Sequence, residues 1–272
     1  MEAVLAMLVA AVSAASDESA RDKSGYSLLN PVPRELMREM STDRPDTTES
    51  PVTVDAGHFQ LEMSVVEFER ESDGARVDSL TIAPANLKVG VLNNMDLQFM
   101  FDPYLIEDER GQARASGIGD VTLRAKINLV GNDSGDWAIG VMPFVKIPTG
   151  SDEVSNGAVE GGLIVPASFE LPNEFSLGLM LELDALRDGN GGYDAELVHT
   201  AVLGRDLFGQ VSGFVEYVGV APLQSGGDYR ATLSAGLAWG LTPDVQLDAG
   251  VGIGLNDAAA DFSAFVGISL RY

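Results

Sequence analysis

The residues of this sequence with the clearest chemical potential are charged side chains spaced two apart within alternating segments. The basic set is Lys88, Arg124, Lys126 and Lys146, and the acidic set is Glu182, Asp184, Glu216 and Asp248. Successive side chains of a strand point to opposite faces, so we predict that both sets face the same side of a sheet. If that sheet closes, a basic wall opposes an acidic wall, and the field between them can orient solutes in a passage. The alternative is that the two sets pair and fill a narrow lumen.

Catalytic chemistry has few candidates. The chain has no Cys and only two histidines, His58 and His199. A Ser/His hydrolase needs a serine within hydrogen-bond reach of one histidine, and only Ser176 or Ser212 is suggested as such a partner. No local nucleophile motif surrounds either serine. We therefore expect no catalytic residue and no enzymatic activity.

Metal and cofactor sites are also not indicated. The acidic pairs and runs, such as Asp152 with Glu153 and residues 107–109, lack the oxygen-ligand spacing of a calcium loop. Gly117 and Gly119 match no phosphate-binding motif and read as turn residues. We expect neither a metal ion nor a cofactor.

The charged residues must be positioned by strands. In DVTLRAKINL (residues 120–129), Val, Leu, Ala, Ile and Leu alternate with Thr, Arg, Lys and Asn. This period of two gives one apolar face and one polar face. The pattern recurs about twelve times, and the predicted strands are 58–70, 79–92, 95–106, 118–130, 137–147, 161–171, 175–186, 193–205, 210–221, 229–241, 245–255 and 262–272. Alternation slips near Val65 and at Pro84, where we expect bulges.

Strand length and connection length favour a membrane barrel over a soluble sandwich. The predicted strands are longer than typical globular strands and suit a tilted crossing of a bilayer. Connections alternate between longer and shorter along the chain, which is typical of outer-membrane barrels. The fold class is therefore all-β, a transmembrane antiparallel β-barrel of about 12 strands. A row of glycines, Gly250, Gly252 and Gly254, is expected to leave space in its lumen.

Aromatic residues concentrate near the ends of the predicted strands, as two membrane interfaces would select. One set is Phe59, Trp137, Phe175, Trp239 and Tyr272, and the other is Tyr193, Tyr217, Tyr229 and Phe262. Tyr272 is in phase with the apolar face of the last strand. We predict that outer-membrane lipid contacts these rings and that the barrel assembly machinery recognises Tyr272.

The N-terminal part has a different character from the barrel. Residues 1–15 resemble a secretory signal peptide without its basic start, so the true start is expected upstream or the signal is divergent. Residues 16–55 are polar, rich in proline and without period, which predicts an irregular periplasmic leader or plug. Residues 56–272 are the predicted outer-membrane barrel. The formal net charge of -24 argues against a nucleic-acid partner.

Five segments resemble a known bacterial family. They are STDRPDTTESPVTVDAGHFQLE (41–62), GDVTLRAKINL (119–129), MPFVKIPTG (142–150), EGGLIVPASFELP (160–172) and HTAVLGRDL (199–207). They look like the outer-membrane "transporter" family of the meta-pathway of phenol degradation type. The resemblance implies a secreted barrel that passes small organic molecules, aromatics among them.

These observations predict a channel in the bacterial outer membrane for passive or facilitated diffusion of small organic solutes. Two alternatives stay open. One is a closed barrel with a structural or adhesive role, and the other is a barrel hydrolase that acts on lipid. The sequence does not specify the solute, the oligomeric state or whether the lumen is open.

Overall fold

In the computed structural model of the chain, residues 121–129 belong to a strand of the barrel wall, and this strand has the apolar face and the polar face that the sequence predicts. Residues 22–72 and 75–272 are described, so the predicted signal peptide at residues 1–15 lies outside the described part. The elements are a short 3-10 helix (Arg34–Leu36) and fifteen strands. The strands are β1 (Phe59–Glu71), β2 (Val77–Ile82), β3 (Ala85–Leu92), β4 (Met95–Phe101), β5 (Tyr104–Glu109), β6 (Ala115–Gly117), β7 (Val121–Val130), β8 (Trp137–Ile147), β9 (Glu160–Leu171), β10 (Phe175–Arg187), β11 (Tyr193–Phe208), β12 (Val211–Pro222), β13 (Arg230–Thr242), β14 (Val245–Gly254) and β15 (Phe262–Arg271).

The sheet is antiparallel throughout and closes on itself. β15 pairs with β1 from Gln60 opposite Arg271 to Arg70 opposite Phe262. β2 and β3 form one interrupted crossing, and so do β4 and β5, because each pair runs in the same direction beside the same neighbours. β6 is a short strand added to β5. Together with β1 and β7 to β15, this gives the predicted closed twelve-strand barrel.

The interruption between β2 and β3 coincides with the predicted slips in alternation, whereas the one between β4 and β5 was not predicted. The register of β1 shifts between Ser64 and Val66. Between β2 and β3, Ala83 has a φ of 55° and precedes Pro84, which cannot donate to a ladder. Because of these breaks, residues 66–71 of β1 pair with β2, whereas residues 59–63 pair with β3.

The two surfaces of the barrel have opposite chemistry. Large apolar side chains are exposed on its outside, including Leu97, Leu123, Leu181 and Leu247. Buried inside are mostly polar and charged wall residues: Gln60, Glu62, Ser64, Asn86, Lys88, Asp96, Gln98, Lys126, Asn128, Thr200, Glu216, Asp248 and Ser269. This is the reverse of a water-soluble fold and is the arrangement of a transmembrane barrel.

The connections differ in length between the two ends of the barrel. Residues 93–94, 131–136, 172–174, 209–210 and 243–244 form what we call the short-turn end. Longer connections, such as 148–159 and 223–229, form the long-loop end. Phe59 and Tyr272 exchange two backbone hydrogen bonds, so β1 begins and the chain ends at the short-turn end. Among the described residues, no helical segment has the length and apolar character needed to cross a membrane.

Most of the predicted interface aromatics lie at or next to strand ends. Phe59, Trp137, Phe175, Tyr193 and Phe262 each begin a strand. Tyr229 precedes β13, Trp239 pairs with the first residue of β12, and Tyr272 follows β15. Tyr217 lies well inside β12, and its hydroxyl reaches the strand end by contacting the hydroxyl of Tyr229, 2.5 Å away. Contact of these rings with lipid stays a prediction.

Candidate functional site: a loop inserted into the lumen

The polar segment before β1 enters the barrel. Residues 41–53, which we call the inserted loop, rise from the short-turn end and return to it before the first strand. Hydrogen bonds connect them to side chains of β1, β3, β7, β10, β11, β12 and β14. The loop therefore crosses the lumen and contacts opposite walls.

The base of the inserted loop is closed by Arg38. Its backbone N–H donates to Asp55 Oδ2 at 2.8 Å, and its guanidinium donates to the carbonyl oxygens of Thr53 and Asn93 at 3.1 and 2.6 Å. Asp133, in the turn between β7 and β8, accepts from Arg38 Nε at 2.9 Å. The two ends of the loop are thus tied to each other and to the barrel rim, as in a compact Ω-loop.

A second cation completes this clamp. Lys23 Nζ lies 3.1 Å from Asp55 Oδ1 and 2.9 Å from Asp133 Oδ1. Burial disfavours the charged Asp133 carboxylate, but a hydrogen bond from Asn93, the charge of Arg38 and a hydrogen bond from Lys23 outweigh it and lower its pKa. We call Lys23, Arg38, Asp55 and Asp133 the base clamp.

Within the inserted loop, Asp43 binds two lysines of the barrel wall. One carboxylate oxygen contacts Lys88 Nζ and the other contacts Lys126 Nζ. Both lysines are 1% exposed. Lys88 also contacts Glu62, which accepts a hydrogen bond of 3.0 Å from the Asp43 backbone. Two buried ammonium groups therefore have a loop carboxylate between them, which compensates their desolvation.

The rest of the loop is bound by charge as well. Glu49 contacts the guanidinium of Arg124. On the opposite wall the Glu216 carboxylate accepts hydrogen bonds from the backbone N–H groups of Thr47 and Thr48, at 2.9 and 2.8 Å. The Thr48 hydroxyl also lies 2.6 Å from that of Thr200.

Arg44 completes the set of charged contacts. Its guanidinium donates to Asp248 at 2.7 and 3.3 Å and lies 5.2 Å from the centre of the Phe265 ring. A β-carbon at Gly267 would overlap this guanidinium, so the glycine makes room for it. At Gly90 a β-carbon would overlap the backbone carbonyl of Asp55.

The glycines that the sequence singled out lie close to side chains of the neighbouring strand. A β-carbon at Gly250 would touch the Phe265 ring, and one at Gly252 would touch the Ser263 hydroxyl. Side chains of β15 therefore take part of the space over the β14 glycine row, but Gly252 also lines a cavity of about 460 Å³, so the expected space beside the row stays a prediction. The glycines that do accommodate the loop lie on other strands.

All eight charged residues predicted to line the lumen belong to the inner side of the wall, but the loop lies between them. It contacts Lys88, Arg124 and Lys126 on one side and Glu216 and Asp248 on the other. Lys146 is apart from the loop and pairs with Asp120 and Glu160 of the wall, at 3.5 and 2.6 Å. Glu182 and Asp184 are neighbours on β10 and have no hydrogen bond to the described loop residues. Their role in selectivity stays a prediction.

Two cavities meet at the tip of the inserted loop. A cavity of about 540 Å³ opens toward the short-turn end and is lined by Glu174, Arg205 and Asp206. A second, of about 460 Å³, opens toward the long-loop end and is lined by Glu69 and Thr81. Pro45 and Asp46 line both. The loop tip is what separates the two cavities.

Neither histidine is arranged for hydrolysis. His58 Nε2 lies 2.7 Å from the carbonyl oxygen of Val32, and its Nδ1 lies 3.3 Å from that of Tyr272. His199 Nε2 lies 3.1 Å from the Tyr229 hydroxyl. Within residues 22–72 and 75–272, neither ring has a hydrogen bond to a serine or to an aspartate or glutamate side chain. In the same part of the chain no cluster of three or more acidic or histidine side chains has the geometry to hold a metal ion.

Sequence similarity identifies the family. Residues 42–272 match the family described as "Putative MetA-pathway of phenol degradation". The chain belongs to this family. The match begins inside the inserted loop and runs to the C-terminus, in agreement with the resemblance of the five segments. No curated protein sequence is significantly similar to the chain.

Solved structures with the same kind of barrel are similar at low identity. The NanC porin superposes with a TM-score of 0.51 at 11% identity, over 77% of this chain and 98% of that one. The KdgM porin in complex with disordered oligogalacturonate gives 0.48 at 12%, over 79% and 99%. The translocator domain of the autotransporter NalP from Neisseria meningitidis gives 0.49 at 14%, over 96% and 98%. At this identity the likeness to NanC shows a porin-like barrel fold and nothing finer.

The loop residues that carry most of the site were not singled out by the sequence. Asp43, Arg44 and Glu49 lie in a segment without period, where alternation assigns no face. Two signals pointed to the segment as a whole: residues 16–55 were predicted to be a leader or plug, and the first stretch resembling the family extends from Ser41 to Glu62.

Proposed function

We propose that the protein is an outer-membrane channel for passive or facilitated diffusion of small organic solutes, aromatics among them, and that the inserted loop closes it. The observation that carries this proposal is the placement of the loop tip between two cavities of a polar-lined barrel. Removing the tip from between them would join them into one path. The contacts that hold the loop are polar, so they are exchangeable for contacts with water.

The apolar exterior of the barrel supports a location in the outer membrane. An apolar exterior with aromatic residues near both ends suits a bilayer, and porin-like folds of this type suit the outer membrane. In this arrangement the short-turn end, with the leader, faces the periplasm. Outer-membrane lipid surrounds the wall, and the assembly machinery reads Tyr272. Residues 1–15 act as a signal peptide and residues 16–55 as a leader or plug.

The wall charges then act on solutes only when the inserted loop is displaced. Lys88, Arg124, Lys126 and Lys146 on one side and Glu182, Asp184, Glu216 and Asp248 on the other are proposed to set selectivity. No group in this scheme performs a reaction, so we propose that the protein is not an enzyme and needs no cofactor. The driving force is the solute gradient.

A reversible tether tests whether the loop closes the channel. The chain has no cysteine, so the double variant T48C/T200C introduces the sole pair, at positions whose hydroxyls are 2.6 Å apart. Oxidation joins the loop to β11, and reduction frees it. In planar bilayers we expect discrete conductance steps in reducing buffer and their loss on oxidation.

The matched control joins the loop to itself. Ser41 Oγ and Ser50 Oγ are 2.7 Å apart, so S41C/S50C forms a disulfide that does not attach the loop to the wall. This variant should conduct in both redox states. Equal conductance of T48C/T200C in both states would show that the loop is not the closing element. Silence of every folded variant would favour the closed structural barrel, and lipid hydrolysis by the silent protein would favour the hydrolase.

A further inference from the structure

The strongest unexplained feature of the lumen is a group of three cations that all contact carboxylates of the inserted loop, and in the described part of the chain only Lys88 among them also pairs with a carboxylate of the wall, that of Glu62. Lys88 and Lys126 share the Asp43 carboxylate, and Arg124 contacts Glu49. Arg124 and Lys126 are two positions apart on β7, so they share a face, and β3 and β7 both pair with β4. When the loop yields, these cations lose two carboxylate partners in one step.

The contact between Glu49 and Arg124 is incomplete. Among residues 22–72 and 75–272, buried Arg124 Nε has no hydrogen-bond partner, and neither has Glu49 Oε2. A guanidinium binds a carboxylate best through two parallel hydrogen bonds. The loop therefore leaves unused a donor that a better-placed carboxylate would satisfy.

An apolar surface adjoins the three cations. Met142, Ile164 and Met180, on the inner faces of β8, β9 and β10, form a buried cluster, and Phe144 packs against it. The guanidinium of Arg124 lies 5.8 Å from the centre of the Phe144 ring. The Glu49 backbone N–H reaches Met180 Sδ at 3.5 Å, so the loop covers this surface as well. Apolar side chains facing a lumen need an apolar partner to leave water.

We propose that Lys88, Arg124 and Lys126, together with the apolar cluster, form a binding site for an organic anion with a carboxylate and an apolar body, and that Asp43 and Glu49 occupy it as an internal ligand. Such a solute displaces the loop tip because it provides the same charge and, in addition, covers the methionines and Phe144. This inference deepens the proposed channel function, since it names the solute class.

Binding can be measured without conductance. The variant D43N removes the competing carboxylate and keeps the shape of the loop. We expect D43N, in detergent at neutral pH, to bind 4-fluorobenzoate about tenfold more tightly than 4-fluorobenzamide by ¹⁹F NMR titration, because one charge-assisted contact is worth about that factor. Acetate should compete weakly, since it has no apolar body.

Two further variants show where the anion binds. D43N/K126Q should lose about tenfold in affinity for 4-fluorobenzoate, and D43N/K126R should retain it. D43N/K146Q is the matched control, because Lys146 is a lumen lysine whose partners among the described residues are Asp120, Glu160 and Asn156, none of them in the inserted loop. Equal affinities for benzoate and benzamide, or an equal loss in K126Q and K146Q, would overturn the inference.

The conductance test separates this inference from the channel function. Folded protein that binds 4-fluorobenzoate but never conducts keeps the anion site and refutes the channel. Protein that conducts when the loop is freed but has no preference for the carboxylate keeps the channel and refutes the anion site. In conducting D43N protein, benzoate should interrupt the current at about tenfold lower concentration than benzamide.

Discussion

Arg44 and Asp248 are 204 positions apart in the sequence, and two hydrogen bonds of 2.7 and 3.3 Å join them inside the barrel. The Asp248 side chain is buried on β14, and Arg44 is near the tip of the inserted loop. A bidentate pair of this kind fixes the direction of the guanidinium as well as its position. The pair therefore anchors the loop tip to the wall opposite the lysines.

Arg44→Gln should release the tip. It leaves the Asp248 carboxylate buried without its charged partner, and hydrogen bonds between charged groups contribute about 1.5–3 kcal/mol. We expect the open fraction of single channels to rise roughly tenfold or more. Arg44→Lys keeps the charge but not the two-point contact, so its open fraction should be intermediate. An unchanged open fraction in both variants would show that this pair does not hold the loop.

Acid should loosen the base clamp. The pKa of Asp133 is lowered in the folded protein, so its contribution to stability is complete above the ordinary aspartate pKa and is lost as the pH falls through the lowered value. A nitroxide on S24C, next to Lys23, reports the mobility of the leader. Its spectrum should sharpen as the pH falls below about 4, the ordinary aspartate value.

Asp133→Asn is the control for that acid effect. It removes the titrating carboxylate, so the leader should already be mobile at pH 7, and the change with acid should be smaller. A spectrum with the same pH dependence in wild-type and D133N protein would assign the transition to another group.

Two glycines should respond differently to a methyl group. A β-carbon at Gly90 meets the backbone carbonyl of Asp55, which can move only with the leader. One at Gly267 meets the end of the flexible Arg44 side chain. Overpacking of this kind costs about 1–3 kcal/mol where the neighbour cannot yield. We expect Gly90→Ala to lower the thermal stability of the folded protein and Gly267→Ala to open the channel with little loss of stability.

Gly25→Ala is the matched control, because no atom of the described residues lies within 4 Å of a β-carbon there. It should change neither stability nor conductance. If Gly267→Ala destabilised the barrel as much as Gly90→Ala, the Arg44 side chain would be fixed more rigidly than its contacts indicate.

The fold was predictable because alternation is a local property. Each strand needs only a period of two to show which side chains share a face, and the slips at Val65 and Pro84 marked two of the irregular points of the wall. Leu97 and Leu247 are exposed and Asp96 and Asp248 are buried, as their phase predicts. Alternation cannot say what stands opposite a lysine across a lumen.

The site was therefore predictable only on its wall side. The side chains of Lys88 and Lys126 were assigned to the lumen by phase, but their partner Asp43 lies in a segment without period. Its position depends on long-range pairing of charges and on room left by glycines such as Gly267, neither of which has a local pattern. For this reason the sequence predicted a basic wall directly facing an acidic wall, without the loop between them.

Exchange of charge between Glu49 and Arg124 tests the contact that joins the loop to β7. Glu49→Arg places two cations together in a poorly solvated part of the lumen, so the loop should be expelled and the open fraction should rise. R124E alone should act in the same direction, because two carboxylates then repel each other. The double variant E49R/R124E restores opposite charges and should return the open fraction toward the wild-type value, a coupling that single variants cannot mimic.

E49R/K146E supplies the same net charge at a lumen position that the loop does not contact, and it should stay open. Closure by E49R/K146E would mean that the total charge of the lumen, rather than this pair, decides where the loop lies.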